Sequence, residues 1–154
     1  MQRIPVADEL AIRELFARYY RALDTGDTEG YLDCYTAAGE AVEESEARGI
    51  EICKGREAIR TLVLKFHDRP DFPGHQHRFS NLIFNDLGDG TWEVLSYAMS
   101  TIFHLGEPPE VTWCGHVRDV VAQEDGAWKI ARKEIYPWAG AVLAGFSGRG
   151  SLPH

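Results

Sequence analysis

The chain has 154 residues, 44% of them apolar, which is the size of one globular domain with a buried core and room for a pocket. Its formal net charge of -8 repels phosphate backbones and anionic lipid, which argues against nucleic-acid binding and against attachment to membranes. A small, uncharged or hydrophobic ligand is expected instead.

The cysteines and the N-terminus indicate a reduced, unexported protein. Cys34, Cys53 and Cys114 are an odd number without Cys-x-x-Cys spacing, which argues against a disulfide framework or a zinc knuckle. We expect three buried, reduced thiols. The first ten residues lack the apolar run of a signal peptide, and no 18-residue apolar segment follows. The sequence therefore predicts a cytoplasmic location.

Three helices are predicted in the first half of the chain. Ala7–Leu23 carries apolar residues largely at helical spacing among strong helix formers. Asp27 is placed to cap a short second helix that reaches about Tyr35. From Arg56 onward, apolar residues recur at i, i+3, i+4 and i+7 until Pro70 ends the helix.

The remaining segments are typical of strands. Gly39–Lys54 alternates loosely, with Gly49 as a turn between two short strands. Everything after Gly74 is rich in β-formers and divided by turn residues, which predicts an antiparallel meander with strands at His77–Asn85, Trp92–His104, Val111–Gln123 and Trp128–Tyr136. The fold class is therefore α+β, a cone in which helices cover the concave face of a sheet.

The meander also predicts an oligomer. Its second strand carries apolar residues on both faces, so one face is expected against the helices and the other against a second subunit, in a dimer or trimer. We expect a single domain over residues 1–154, with a core at about 8–138. The small, Gly-rich tail at 139–154 is either disordered or lies over the pocket.

Asp24 and His77 are the candidate catalytic pair. Asp24 follows the last apolar position of the first helix and lies four residues after Tyr20, whereas His77 stands where a Pro/Gly-broken loop enters a strand. Each has a plainer interpretation, a solvated turn carboxylate for Asp24 and a strand-edge imidazole for His77. We expect the two side chains to meet, because a histidine base works best when a carboxylate fixes its tautomer and stabilises the imidazolium.

The other histidines are weaker candidates. His116 is expected to point away from the cavity, and His67 to complement a helix dipole. His75 emerges beside His77 only if the strand begins early, and a metal site from that pair lacks a third ligand with suitable spacing. We therefore predict no metal, and, without a phosphate loop or dinucleotide fingerprint, no cofactor.

Four segments, in order, resemble the SnoaL-like branch of the nuclear transport factor 2-like superfamily: residues 11–24, residues 54–59, the motif His77-x-x-Ser80-Asn81 and residues 125–132. The similarity runs over about residues 8–138. Scytalone dehydratase and hexachlorocyclohexane dehydrochlorinase are members. The resemblance implies a cone-shaped α+β barrel, in which three N-terminal helices pack on a curved, mostly antiparallel sheet.

The resemblance also implies roles for individual residues. Asp24 and His77 match the family's proton-abstracting dyad, and Lys133, with Arg132 beside it, matches a basic residue that assists the leaving group. Substrate contacts are then expected from Tyr19, Tyr20, Tyr97, Trp113, Phe79 and Asn81.

Departures from the family pattern bear on the substrate. Tyr97 and Ala98 stand where the dehydratase has a further histidine, and Tyr19 stands where the dehydrochlorinase has a second basic residue. Both exact reactions are therefore in doubt. The resemblance still implies a cofactor-independent lyase or isomerase acting on a small hydrophobic, cyclic or polyketide-like substrate. The alternatives are a non-catalytic ligand-binding module and the structural small subunit of a ring-hydroxylating dioxygenase, which has a large iron-binding partner.

Overall fold

The computed structural model describes residues 3–45 and 49–139. These ranges contain three helices and six strands; two helices precede the first strand, and the third lies between the second and third strands. The helices are α1 (Val6–Thr25), α2 (Thr28–Asp33) and α3 (Arg56–His67), and the strands are β1 (Tyr35–Ser45), β2 (Gly49–Lys54), β3 (His75–Asp86), β4 (Trp92–Ile102), β5 (Glu110–Glu124) and β6 (Ala127–Pro137). The predicted helices are all present.

The end of α1 determines where its last polar side chain lies. The helix stops at Gly26, whose left-handed backbone (φ 75°) is open to glycine at little cost, and the Gly26 N–H donates to the Ala22 carbonyl. Asp27 then caps α2 by accepting a hydrogen bond of 2.9 Å from the Gly30 N–H. These two caps turn the chain sharply and leave Asp24 in the last turn of α1.

The strands form one open, curved sheet in the order β2-β1-β6-β5-β4-β3. Strands β3 to β6 are the predicted antiparallel meander, whereas β1 pairs with β6 in parallel. The predicted α+β class, with helices packed on a curved and mostly antiparallel sheet, is confirmed.

The core lies between α1, α3 and the inner face of the sheet. Buried residues of α1, such as Ile12, Phe16 and Tyr19, meet inward-facing residues of the central strands, such as Val94 and Val117. Burying such side chains removes large apolar areas from water, at about 25 cal/mol per Å², and this holds the helices over the sheet.

The outer face of the sheet carries exposed apolar side chains, among them Ile50, Ile83 and Tyr97. The expectation that a second subunit covers this face stays a prediction. Cys114 is also exposed, so the prediction of three buried thiols is wrong for this residue. The predicted tail, from residue 140 onward, lies outside the described residues. Within the described ranges, no helix has the length and hydropathy that crossing a bilayer requires.

An ion network also lies on the outer face. Arg118 donates to Glu93 (2.6 Å) and Glu134 (3.0 Å), and Arg132 donates to Glu134 (2.6 Å) and pairs with Glu40. Burial raises the pKa of Glu134, but the hydrogen bond from Arg132 and the charge of Arg118 outweigh it, so the pKa lies below its usual 4.5. The network therefore stabilises the fold above that pH.

We expect Glu134→Gln to lower the unfolding free energy by about 0.5–1 kcal/mol at pH 7, because ion pairs that solvent still reaches contribute little more, and the two arginine side chains are 36% exposed. Since the folded pKa is depressed, the wild-type advantage disappears as pH falls through that pKa. Urea unfolding at pH 7 and pH 3 measures both values. Glu107→Gln, in an exposed turn, is the control. If wild type and Glu134→Gln still differ in unfolding free energy at pH 3, the electrostatic explanation is contradicted.

Candidate active site

A cavity of about 340 Å³ lies between the inner face of the sheet and the ends of α1 and α3. Its apolar wall is largely aromatic and includes Tyr19, Tyr20, Phe66, Phe72 and Trp113. Its polar groups come from several elements and include Glu43, Glu44, Arg69, His75 and His77. A mostly apolar hollow with a few convergent polar groups is the usual form of a small-molecule site.

Asp24 and His77, 53 residues apart, meet at the edge of this cavity. The carboxylate accepts two hydrogen bonds from the one residue: 2.5 Å from Nδ1 of the ring and 2.9 Å from the backbone N–H. Their side chains are only 16% and 17% exposed, respectively. Because a carboxylate only accepts, Nδ1 carries the hydrogen, and the neutral ring keeps its lone pair on Nε2.

The imidazole stands between the carboxylate and the cavity. His77 lines both the cavity and a surface groove behind it, whereas Asp24 lines the groove. Tyr20 stacks on the His77 ring at 6.1 Å between centroids, with 18° between the planes. The backbone hydrogen bond orients the carboxylate, and one ring hydrogen bond and one stacked ring orient the imidazole. The arrangement can accept a proton from a bound molecule.

Three tyrosines of the cavity wall, Tyr19, Tyr20 and Tyr31, and the adjoining Tyr35 are neutral hydrogen-bonding groups. Burial raises the pKa values of Tyr19, Tyr20, Tyr31 and Tyr35 above their ordinary value, with smaller effects from neighbouring groups. Their hydroxyls join in a chain, with 3.0 Å between Tyr19 and Tyr31 and 3.5 Å between Tyr31 and Tyr35. They are therefore too weakly acidic to act as bases near neutral pH.

One wall of the cavity depends on a glycine. A Cβ atom at Gly115 would lie 2.4 Å from the Trp113 ring and 2.2 Å from the Tyr136 carbonyl oxygen. The indole therefore occupies the space that a side chain at residue 115 would need. This close approach places Trp113 against the sheet, where it lines the cavity.

A model of the SnoaL-like domain matches residues 5–134. The chain belongs to the SnoaL-like domain family. A comparison with curated protein sequences gives no significant match. The predicted family is confirmed by the domain match.

Solved structures share the fold of this SnoaL-like domain. A protein of unknown function with a cystatin-like fold, from Nostoc punctiforme, is 26% identical, with 88% of this chain and 95% of that chain covered and a TM-score of 0.74. Aln2 from a Streptomyces species is 20% identical, with coverages of 88% and 94% and a TM-score of 0.77. A protein from Novosphingobium aromaticivorans, named for an expected scytalone dehydratase activity, is 21% identical, with coverages of 87% and 86% and a TM-score of 0.72. The last two structures, at 20% and 21% identity, therefore show only that the fold is shared.

The predicted contact residues separate into two groups. Tyr19, Tyr20 and Trp113 line the cavity with His77. Tyr97 and Asn81 lie instead in a groove on the outer face of the sheet, so their predicted place in the pocket is wrong. Tyr97 alternates with the inward-facing Ala98 of β4. Asn81 has a left-handed backbone (φ 58°) at an irregularity of β3, which breaks the inward alternation that begins at His77.

Phe79 faces inward but supports the helix. Its ring stacks on Tyr20 at 5.2 Å and meets Phe16 edge-on at 5.9 Å. It lies in the groove behind the cavity with Asp24. Phe79 therefore contributes to the packing that holds Tyr20 against His77.

The two predicted basic residues lie away from the cavity wall. Arg132 is on the outer face, in the ion network. Lys133 is only 1% exposed, and its ammonium donates to both oxygens of Asp119, at 3.0 and 3.1 Å. It also lies 4.3 Å from the Tyr19 ring centroid and 5.3 Å from those of Tyr20 and Phe16. Lys133 therefore contacts the aromatic wall from behind and does not line the cavity.

The sequence analysis missed several polar residues at or behind the wall. Glu43, Glu44 and Arg69 gave no periodic signal, because they lie on a loosely alternating strand and in a loop. Asp119 did give a signal, since it shares strand parity with the apolar Val117 and Val121. A charged residue on the apolar face of a strand is expected to have a buried partner of opposite charge. That partner is Lys133.

Proposed function

We propose that the chain is a cofactor-independent lyase or isomerase that removes a proton from an acidified carbon of a small hydrophobic molecule. The observation that carries this proposal is the 2.5 Å hydrogen bond between Asp24 and the Nδ1 of His77 at the cavity. The family includes polyketide cyclases and dehydratases, which supports a reaction of this class.

In the proposed mechanism, His77 is the base. Its Nε2 lone pair takes a proton from a carbon next to a carbonyl, and the ring becomes a cation. Asp24 then stabilises that cation across the Nδ1 hydrogen bond and keeps the ring from turning. The electrons of the broken C–H bond form a double bond as a leaving group departs. In an isomerisation they form an enolate instead, and the protonated His77 returns its proton to another carbon of that enolate.

The cavity limits the class of substrate. Its volume of about 340 Å³ is near the lower end of the roughly 300–1,000 Å³ that ligand pockets span, which suits a molecule of one or two rings. Aromatic side chains favour a flat or cyclic apolar body, and the polar groups can bind a few oxygens. We therefore propose cyclic or polyketide-like ketones as substrates.

The experiment uses a simple cyclic β-hydroxy ketone, 3-hydroxy-1-tetralone. Loss of water across its C2–C3 bond gives 1-naphthol after tautomerisation, and naphthol fluorescence records the rate above the uncatalysed background. We expect the protein to accelerate this reaction, whereas His77→Gln does not. Binding of the ketone without acceleration would favour a ligand-binding module. Co-purification of a large iron-binding chain, without acceleration, would favour a dioxygenase subunit.

A further inference from the structure

A second imidazole lies in the wall of the same cavity. His75 begins β3, and its ring stacks on the buried Phe72 at 5.0 Å between centroids, with 15° between the planes. Its Nδ1 lies 2.7 Å from the Phe72 carbonyl oxygen. Both contacts hold the ring against the loop that leads into β3, and the ring lines the cavity.

The hydrogen bond at Nδ1 determines what the ring offers to the cavity. A carbonyl oxygen only accepts, so Nδ1 of His75 carries a hydrogen, as Nδ1 of His77 does toward Asp24. In both residues, proton exchange is therefore left to Nε2. Because the residues are two apart on one strand, they share a face, with Cα atoms about 6–7 Å apart.

We propose that His75 is a second catalytic residue, the general acid that protonates the leaving oxygen while His77 removes the carbon proton. This inference rests on the proposed function. His77 Nε2 takes the proton, the C–H electrons form the C=C bond, the C–O bond breaks, and the imidazolium of His75 gives its Nε2 proton to the departing oxygen. The products are the unsaturated ketone and water, and proton exchange with solvent restores both rings.

Several charged groups lie near His75, and a test must distinguish their effect on the pH dependence of the rate from the effect of His75 itself. Arg69 and Asp71 lie in the loop before β3 and pair with each other at 2.6 Å. Glu43 and Glu44 line the cavity from β1, and His77 lines it from the same strand as His75. A pH effect that belongs to His75 must therefore disappear when His75 is replaced, rather than only shift.

The experiment compares two substrates that differ only in the leaving group. 3-Hydroxy-1-tetralone loses hydroxide, which needs a proton, whereas 3-acetoxy-1-tetralone loses acetate, which does not. The variant is His75→Asn, because the Asn amide can still donate to the Phe72 carbonyl, whereas the Nε2 group is lost together with the ring that stacks on Phe72. His77→Gln is the matched control for the base, and thermal unfolding checks that each variant is folded.

We expect His75→Asn to lower kcat for the hydroxy ketone about 100-fold, the usual lower range for general acid catalysis, and to leave the acetoxy ketone nearly unchanged. His77→Gln should lower both rates. In the wild type, general acid catalysis should give the pH–rate profile of the hydroxy ketone an alkaline limb, in which the rate falls as pH rises, and the profile of the acetoxy ketone should lack that limb. The wild-type profile tests the proposal even where the variant fails to fold.

Two results would overturn the inference and leave the proposed function standing: equal losses for both substrates in His75→Asn, or an alkaline limb shared by both. Failure of the wild type to convert either ketone would instead remove the proposed function, and the role of His75 with it.

Discussion

His77→Gln is expected to lower kcat for 3-hydroxy-1-tetralone by about 10²–10⁴-fold, because a positioned base contributes a factor of that size and the Asp24 carboxylate holds the His77 ring in place. Glutamine keeps a polar side chain of similar length but lacks a basic nitrogen. Initial rates of naphthol fluorescence measure the change, and circular dichroism shows whether the fold is intact.

Asp24→Asn should act on the same step through the ring of His77. An amide NH₂ donates to Nδ1, which moves the ring hydrogen to Nε2 and removes the lone pair that faces the cavity. We expect kcat to fall about 10²–10⁴-fold with little change in KM, since Asp24 lies behind the ring and outside the cavity wall. Asp68→Asn, in an exposed position after α3, is the matched control.

The two dyad variants together test whether the residues work as a unit. If they do, the double variant is hardly slower than His77→Gln alone, because His77→Gln has already removed the proton transfer that Asp24 supports. Wild-type rates in either single variant would disprove the dyad. Losses that multiply in the double variant would show that Asp24 acts on the substrate independently of His77.

The parts of the site that were predictable from sequence depend on local pattern. Helical spacing and the stop at Gly26 placed Asp24 at the end of α1, and the Pro/Gly-broken loop placed His77 at the start of a strand. Neither pattern reports distance across the fold. The chemistry of a carboxylate-supported histidine base predicted the pairing, the resemblance to a family strengthened that prediction, and the structure gives its geometry of 2.5 Å.

The errors occur where strand alternation carries no information. In β4 both faces are apolar, so the period of two did not say whether Tyr97 or Ala98 faces inward. In β3 a local irregularity at Asn81 changes the alternation partway along the strand. The parallel pairing of β1 with β6 joins segments about 90 residues apart, and no short-range pattern encodes such a contact.

Lys133→Met should destabilise the fold strongly. The ammonium of Lys133 and the carboxylate of Asp119 are each 1% exposed and pair at 3.0 Å. Removing one partner leaves a buried charge without its counterion, which costs about 3–5 kcal/mol. Urea unfolding at pH 7 measures the loss. Lys54→Met is the control, because that exposed lysine pairs with Glu40 at the surface and such pairs contribute at most about 1 kcal/mol.

The pH dependence of the Lys133→Met loss distinguishes a charge effect from a packing effect. Burial already raises the pKa of the Asp119 carboxyl, against the opposing charge of Lys133, and removing that cation raises it further. The folded variant then binds a proton that the unfolded chain releases, so its stability falls as pH rises toward the folded pKa. The loss relative to wild type should therefore be larger at pH 8 than at pH 5.

A double variant, Lys133→Met with Asp119→Leu, removes both charges and should recover most of the stability, because apolar side chains can replace a buried ion pair at little cost. Its activity is the more informative result. Lys133 lies 5.3 Å from the centroid of Tyr20, whose ring stacks on His77, so the ion pair is joined to the base through one aromatic side chain. If the stable double variant keeps its rate, packing alone orients His77. If it is stable but slow, the charge of Lys133 is needed to hold Tyr20 and the base in place.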